Sequence, residues 1–213
     1  MNITKIGHCC LLIKTDKITI LTDPGAFSTG QNTVTGIDLI LITHEHADHF
    51  HVESLKEVLK NNPQAQVITN SGVGVKLKEL GIAYSLLEGP QSTTVKEVLI
   101  EAFEGKHVEI FEDFGQVQNT GYFIDNKLFY PGDSYINPQK PVDVLALPVA
   151  GPWCKVLDCI NYALKLKPRV AFPVHDAQLI KERVGGNHRA PEAILSKNGI
   201  SFISMLEGDE KEF

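Results

Sequence analysis

Four side chains able to ligate a metal lie within six residues of the segment Thr43-His44-Glu45-His46-Ala47-Asp48-His49. Neutral imidazole and carboxylate are common ligands of zinc and its neighbours. In an extended segment His44 and His46 point the same way, because side chains alternate with period 2. Asp48 and His49 fall where the chain turns into a helical pattern, so they aim at a second position nearby. One short loop can therefore hold two metal ions. The plainer reading is a polar loop whose histidines cap the next helix. A tight group of four potential ligands directly behind an apolar strand favours the metal.

Three more residues belong with this group by position. His107 follows a strand-like run ending at Glu104, Asp133 lies on the Pro131-Gly132-Asp133 turn, and His175 ends the run Arg169–Val174. Each stands just past a predicted strand, so all three can converge on one rim. Taken singly, each is as well read as an ordinary polar residue. His8, at an early strand end beside Gly7, is read either as a substrate contact or proton donor, or as a histidine bonded to backbone. His51 caps the following helix or faces solvent. His188 sits in Gly185-Gly186-Asn187-His188-Arg189, a glycine-rich stretch read as a loop and a substrate flap. Trp153, after Gly151-Pro152, walls a pocket or simply packs. Cys9, Cys10, Cys154 and Cys159 read as core residues, without zinc-finger or redox-pair spacing.

The elements that must position these residues begin as β. Ile3–Ile6, Cys9–Lys14 and Ile18–Thr22 are strand-like, and Asp38–Thr43 is a short apolar run suited to a strand buried on both faces. Val52–Asn61 has helical spacing with Pro63 just beyond it. Gln66–Thr69 is a strand, and Val73–Leu80 a helix with Ser71 as N-cap and Gly81 behind it. Thr93–Glu104 forms a hairpin or long bent strand. Tyr122–Ile124 and Leu128–Tyr130 pair around Asp125-Asn126-Lys127, and Val142–Pro148 is another strand. The last third alternates: helix Cys154–Leu166, strand Arg169–Val174, helices Ala177–Val184 and Glu192–Lys197, strand Ile200–Leu206. Two face-to-face sheets with helices outside, an α/β four-layer αββα sandwich, satisfy this order. Pattern alone does not choose it over a doubly wound sheet.

A chain of 213 residues predicts one domain spanning 1–213. Apolar residues make 43% of it, and 20 basic against 26 acidic residues leave a net charge of −6. That balance argues against a general nucleic-acid binder. No apolar run reaches the ~18 residues of a membrane helix. Met1–Lys5 leads into a strand pattern without a signal-peptide core, and four unpaired-looking cysteines fit a reducing compartment. The expectation is a cytoplasmic protein with a small-molecule partner and neither nucleic acid nor membrane. An oligomer is compatible with the sequence.

The motif His44-x-His46-x-Asp48-His49, with His107, Asp133 and His175 in order downstream, resembles the metallo-β-lactamase-fold hydrolase superfamily, from Asp23 to His175. The resemblance implies that His44, His46 and His107 bind one ion, that Asp48, His49 and His175 bind the other, and that Asp133 bridges them. It also implies that Asp23 in Thr22-Asp23-Pro24 supports the ligands from behind. Ile6-Gly7-His8-Cys9-Cys10, Tyr130-Pro131-Gly132-Asp133-Ser134 and Leu147-Pro148-Val149-Ala150-Gly151 are similar to the short metal-dependent hydrolases related to L-ascorbate-6-phosphate lactonase. Pro152-Trp153-Cys154 departs from that group.

The implied cofactors are two divalent ions, zinc by default for five His and two Asp, with manganese or iron as the alternatives. The implied reaction is attack by an ion-activated hydroxide on a small lactone, ester, thioester or phosphodiester, with Asp48 or His8 handling the proton. The competing readings are a nuclease or phosphodiesterase acting on nucleic acid, a mononuclear-iron persulfide dioxygenase, and a metal-binding protein without turnover.

Overall fold

The computed structural model describes residues 1–180 and 184–213. The chain opens with a meander of β1 (Asn2–Gly7), β2 (Cys10–Lys14) and β3 (Thr19–Thr22). Strand β4 (Leu39–Leu41) then joins β3 in parallel. Helices α1 (Val52–Asn61) and α2 (Ser71–Glu79) carry the chain to β5 (Gln66–Thr69) and β6 (Ser85–Leu86), each parallel to its predecessor. The second half repeats the plan. A meander of β7 (Ser92–Val95), β8 (Val98–Lys106), β9 (Gln118–Ile124) and β10 (Leu128–Tyr130) is followed by the parallel strands β11 (Val144–Pro148), β12 (Val170–Val174) and β13 (Ser201–Phe202). Helices α3 (Val156–Leu166) and α4 (Gly185–Lys197) make its crossovers. Strand β14 (Glu210–Glu212) returns to pair with β1. Among the described residues these form two seven-stranded sheets.

Alternation along each strand sets the layers. In β4, Leu39 and Leu41 point into the core between the sheets and Ile40 points outward to α1 and α2. The inner layer joins Ile13, Ile20 and Leu41 of the first sheet to Ile100, Tyr122, Ile124 and Phe172 of the second. Outside the second sheet, Phe123, Leu145 and Ala171 meet Cys159, Ala163 and Leu195 of α3 and α4. Both faces of the central strands are covered, which is why they read as unbroken apolar runs. The architecture is the four-layer αββα sandwich.

Several local expectations shift. Helix α1 has the predicted bounds and His51 caps it, its ring nitrogen accepting from the Ser54 N–H. Helix α2 starts earlier than predicted, because Asn70 rather than Ser71 accepts the Val73 N–H. Helix α3 begins at Val156, after Lys155. The predicted helix Ala177–Val184 is not helical over 177–180, and its residues 181–183 lie outside the described residues. The predicted loop around His188 is instead the first turns of α4, which encloses the predicted helix Glu192–Lys197 and holds Pro191 in its interior. Gly185 and Gly186 disfavour helix by about 1 kcal/mol each. Tertiary bonds offset that cost: Asn187 donates to the Val149 carbonyl, and buried His188 bonds Asp176 and Ser204. Only Ser201–Phe202 of the predicted strand Ile200–Leu206 pairs, and the chain then turns so that the Met205 carbonyl meets Lys5. The all-charged edge strand β14 has no apolar alternation to reveal it.

Candidate metal centre

The site lies on the seam between the sheets, at strand ends on one rim. Asp23 follows β3, His44–His49 follow β4, Asn70 follows β5, His107 follows β8, Asp133 follows β10 and His175 follows β12. Carboxyl ends of parallel strands are the usual ligand rim of α/β sheets. Two clusters form. His44, His46 and His107 make one; His8, Asp48, His49 and His175 make the other; within each, the ligand atoms all lie within 4.8 Å of one another. Asp133 stands between them. Its Oδ2 is 2.9 Å from His175 Nε2 and 3.2 Å from His107 Nε2, and its Oδ1 is 3.1 Å from His49 Nε2.

Hydrogen bonds set the ring tautomers. His107 Nδ1–H donates to the Val108 carbonyl at 2.6 Å, and His175 Nδ1–H to the Ala150 carbonyl at 2.7 Å. His49 Nδ1–H donates to Asp23 Oδ2 at 2.7 Å. The Thr43 hydroxyl donates to Asp23 Oδ2 at 2.7 Å, so its oxygen accepts His44 Nδ1–H at 3.0 Å. In the neutral form all four rings thus carry the proton on Nδ1 and a lone pair on Nε2. The Nε2 atoms of His44, His49 and His175 and Oδ1 of Asp133 are buried without a hydrogen-bond partner. Lone pairs crowded on a carboxylate oxygen repel, and burial makes such groups costly. A divalent cation removes the conflict, so the residues present fit a metal. Asp133 also shifts the titration of its neighbours: burial pushes His49 and His175 down, but Asp133 beside them holds both well above the usual histidine range. Burial pushes Asp133 up, and His175 and His49 outweigh it and hold the carboxyl well below the usual range.

His8 has the opposite tautomer. Its Nδ1 accepts the Ala177 N–H at 3.2 Å, so Nε2 carries the hydrogen and donates to Asp48 Oδ2 at 3.2 Å. Burial pulls its pKa down to about 4 despite Asp48, which leaves the ring neutral. With its hydrogen on Nε2, His8 enters the second cluster as a donor to Asp48. Cys9 also comes near His49 and Asp133, and burial pushes its thiol up, keeping it protonated. Behind the ligands, buried Asp23 accepts from the Thr43 N–H, the Thr43 hydroxyl, His49 and the Tyr130 hydroxyl. Asn70 Nδ2 donates to the Thr43 carbonyl, and Asn119 Oδ1 accepts the Asp133 N–H. Sequence reading singles out Asp23 but misses Thr43, Asn70, Asn119 and Tyr130. Their position as polar residues at strand ends is the available signal. Gly25 is needed for closeness: a Cβ there would stand 1.8 Å from the Asp48 carbonyl oxygen. A cavity of about 230 Å³ opens onto the centre between Phe27, Ile110 and Trp153.

Residues 2–175 match the beta-lactamase superfamily domain. Protein Rv0786c of Mycobacterium tuberculosis is 33% identical over 182 residues, covering 83% of this chain and 84% of its own. A UPF0173 metal-dependent hydrolase of Polynucleobacter asymbioticus is 23% identical, over 89% of this chain and 75% of its own. Among solved structures, a protein of Parabacteroides distasonis described as a metal-dependent hydrolase superposes with a TM-score of 0.79 at 25% identity, over 97% of this chain and 93% of its own. A metallo hydrolase of Ignicoccus hospitalis superposes with a TM-score of 0.76 at 18% identity, over 100% and 98%.

Proposed function

We propose, from the premise that the chain belongs to the beta-lactamase superfamily, that its clustered histidines and aspartates hold two divalent ions for hydrolysis of a small molecule. It is a metal-dependent hydrolase of that superfamily. The observation that carries the finer reading is the convergence of the Nε2 atoms of His44, His49 and His175, buried without a hydrogen-bond partner, around buried Asp133. His44, His46 and His107 would hold one ion, Asp48, His49 and His175 the other, and Asp133 would touch both. Zinc suits this donor set, as do manganese and iron, because no deprotonated thiol selects a soft ion. Such ions, when bound, acidify water toward neutral pKa and polarise a carbonyl or phosphoryl oxygen.

The chain's own groups do the rest. Asp48, whose side chain is 16% exposed, faces the cavity and is the carboxylate placed to take a proton from water. The His8 Nε2–H donation holds Asp48 Oδ2 in place, so His8 acts as a positioning residue. Asp23 holds His49 directly and His44 through Thr43, fixing both rings as ligands. The substrate class is a lactone, ester, thioester or phosphodiester. The location we favour is the cytoplasm, given four free, buried thiols; among the described residues no helix is long and apolar enough to cross a membrane.

Elemental analysis after reconstitution with excess zinc or manganese tests the reading, with Asp133→Ala alongside. We expect two ions per wild-type chain, fewer in Asp133→Ala, and a turnover loss of about 10³-fold or more, since Asp133 would help hold both ions. Persistent loading of a single iron, with oxygen consumed on a persulfide, would replace this reading by the dioxygenase.

A further inference from the structure

The apolar side chains Phe27, Ile110 and Trp153 line the mouth of the centre. Trp153, 6% exposed, sets its ring 5.5 Å from His107 and 5.3 Å from His175, so one indole walls both halves of the centre. Phe27 is 46% exposed and meets His8 edge-on at 5.2 Å. Ile110 comes from the segment after His107. That segment folds back over His46 through Gly115 at φ +74, where a Cβ would stand 3.1 Å from Ile110 Cδ1 and 3.9 Å from His46 Cε1. Its tip carries two exposed rings, Phe111 and Phe114, in a single bridge.

Charge points the same way. Between Lys106 and Lys127 the sequence has no Lys or Arg, while the covering segment carries Glu109, Glu112 and Asp113. Among the described residues lining the cavity there is no Lys or Arg side chain, and Gln178 is the polar group outside the ligand clusters. Recognition of a phosphate or carboxylate away from the reacting centre is best served by Lys or Arg, and among the described lining residues only the Gln178 amide and the Trp153 indole N–H offer side-chain donors outside the ligand clusters. The cavity of about 230 Å³ is below the ~300–1,000 Å³ of pockets for drug-sized ligands.

Building on the hydrolase reading, we infer that the substrate is a small, uncharged acyl compound, an ester, thioester or lactone, whose apolar acyl group lies against Trp153, Phe27 and Ile110. In the reaction water forms the new C–O bond at the acyl carbon, the C–O or C–S bond breaks, and the leaving oxygen or sulfur takes a proton. Trp153, Phe27 and Ile110 determine specificity. The acidic covering segment turns away phosphorylated and polyanionic substrates by like-charge repulsion.

Two measurements test this. Trp153 is the chain's one tryptophan, so its fluorescence reports ligand entry in metal-free protein. Hexanamide should perturb it with an affinity well above that of acetamide, and inorganic phosphate should leave it unchanged. With zinc or manganese bound, kcat/KM for acetyl, butyryl and hexanoyl thioesters of N-acetylcysteamine should rise about fourfold per methylene until the cavity is full. Ile110→Ala should flatten that slope with metal content intact. Trp153→Ala should do so too; Ile110→Ala decides the matter if that variant fails to fold. Glu109→Lys with Glu112→Lys should raise activity on a phosphorylated sugar lactone. A slope of zero, or a phosphorylated lactone or bis(p-nitrophenyl) phosphate preferred tenfold over hexanoyl thioester, would overturn the inference and leave the hydrolase reading standing. A protein that holds its ions and hydrolyses none of these probes would overturn both.

Discussion

A histidine's usefulness to a metal depends on which nitrogen keeps the proton, and here each ring's partner decides it. Carbonyls of Val108 and Ala150, the Thr43 hydroxyl and Asp23 take the Nδ1 hydrogens of His107, His175, His44 and His49. At His8 the backbone donates instead, and the far end of the ring becomes a donor to Asp48. This contrast argues the first prediction. His8→Ala should keep both ions at saturating metal and lower kcat/KM by about 10–100-fold, the usual cost of losing a partner behind a ligand. His8→Gln should recover most of it, since its amide oxygen can accept from Ala177 and its NH2 can donate to Asp48. Kinetics with elemental analysis on the two variants check this; loss of an ion from His8→Ala, or no rescue by Gln, would make His8 a ligand or a catalytic acid instead.

At the scale of elements, a buried ion cluster ties three parts of the chain together behind His175. Lys5 of β1, 1% exposed, donates to Asp176 Oδ2 at 2.7 Å and to the Met205 carbonyl; His188 of α4 meets the same carboxylate oxygen at 2.9 Å. Burial pushes Asp176 up, but His188 and Lys5 hold it below the usual carboxylate range. The cluster anchors His175, whose φ of +62 is costly for a side-chain-bearing residue. Removing one partner leaves a buried charge, a loss of about 3–5 kcal/mol. Lys5→Met should therefore lower Tm by on the order of 10 °C in metal-free protein, at ~2–4 °C per kcal/mol for a chain of this length. Lys5→Met with Asp176→Leu should recover part of the loss. A double-mutant melting series reads the coupling, and simple additivity would mean the pair contributes nothing as a unit.

For the whole molecule, the centre is where the two halves of the sandwich meet. The first sheet brings His44, His46, Asp48 and His49; the second brings His107, Asp133 and His175. An ion held by both sheets binds the folded state alone, since the unfolded chain scatters its ligands. Free metal at 100 times Kd should stabilise the protein by about 2.7 kcal/mol for each site. Thermal melts with a chelator and with added zinc check this, the expected result being a Tm that climbs with metal concentration. Identical melts would argue that no ion bridges the sheets.

Local chemistry makes much of this legible in the sequence. The candidate ligands stand in a six-residue span and on three strand-end turns, and strand periodicity marks where those turns fall. The ends of α1 follow from its apolar spacing and from Pro63. The four-layer arrangement is not separable from a doubly wound sheet by pattern, because strands covered on both faces look alike in either. The start of helix α4 escapes sequence reading because two glycines argue against helix locally, while the bonds of His188 and Asn187 that favour it reach to Asp176, Ser204 and Val149. Tautomers, the bonding partners of His8 and the partners around Asp23 were decided only by the tertiary structure. The contacts that set them join residues far apart in the chain, Tyr130 to Asp23 and Ala177 to His8 among them, and no local periodicity carries a hydrogen bond of that reach.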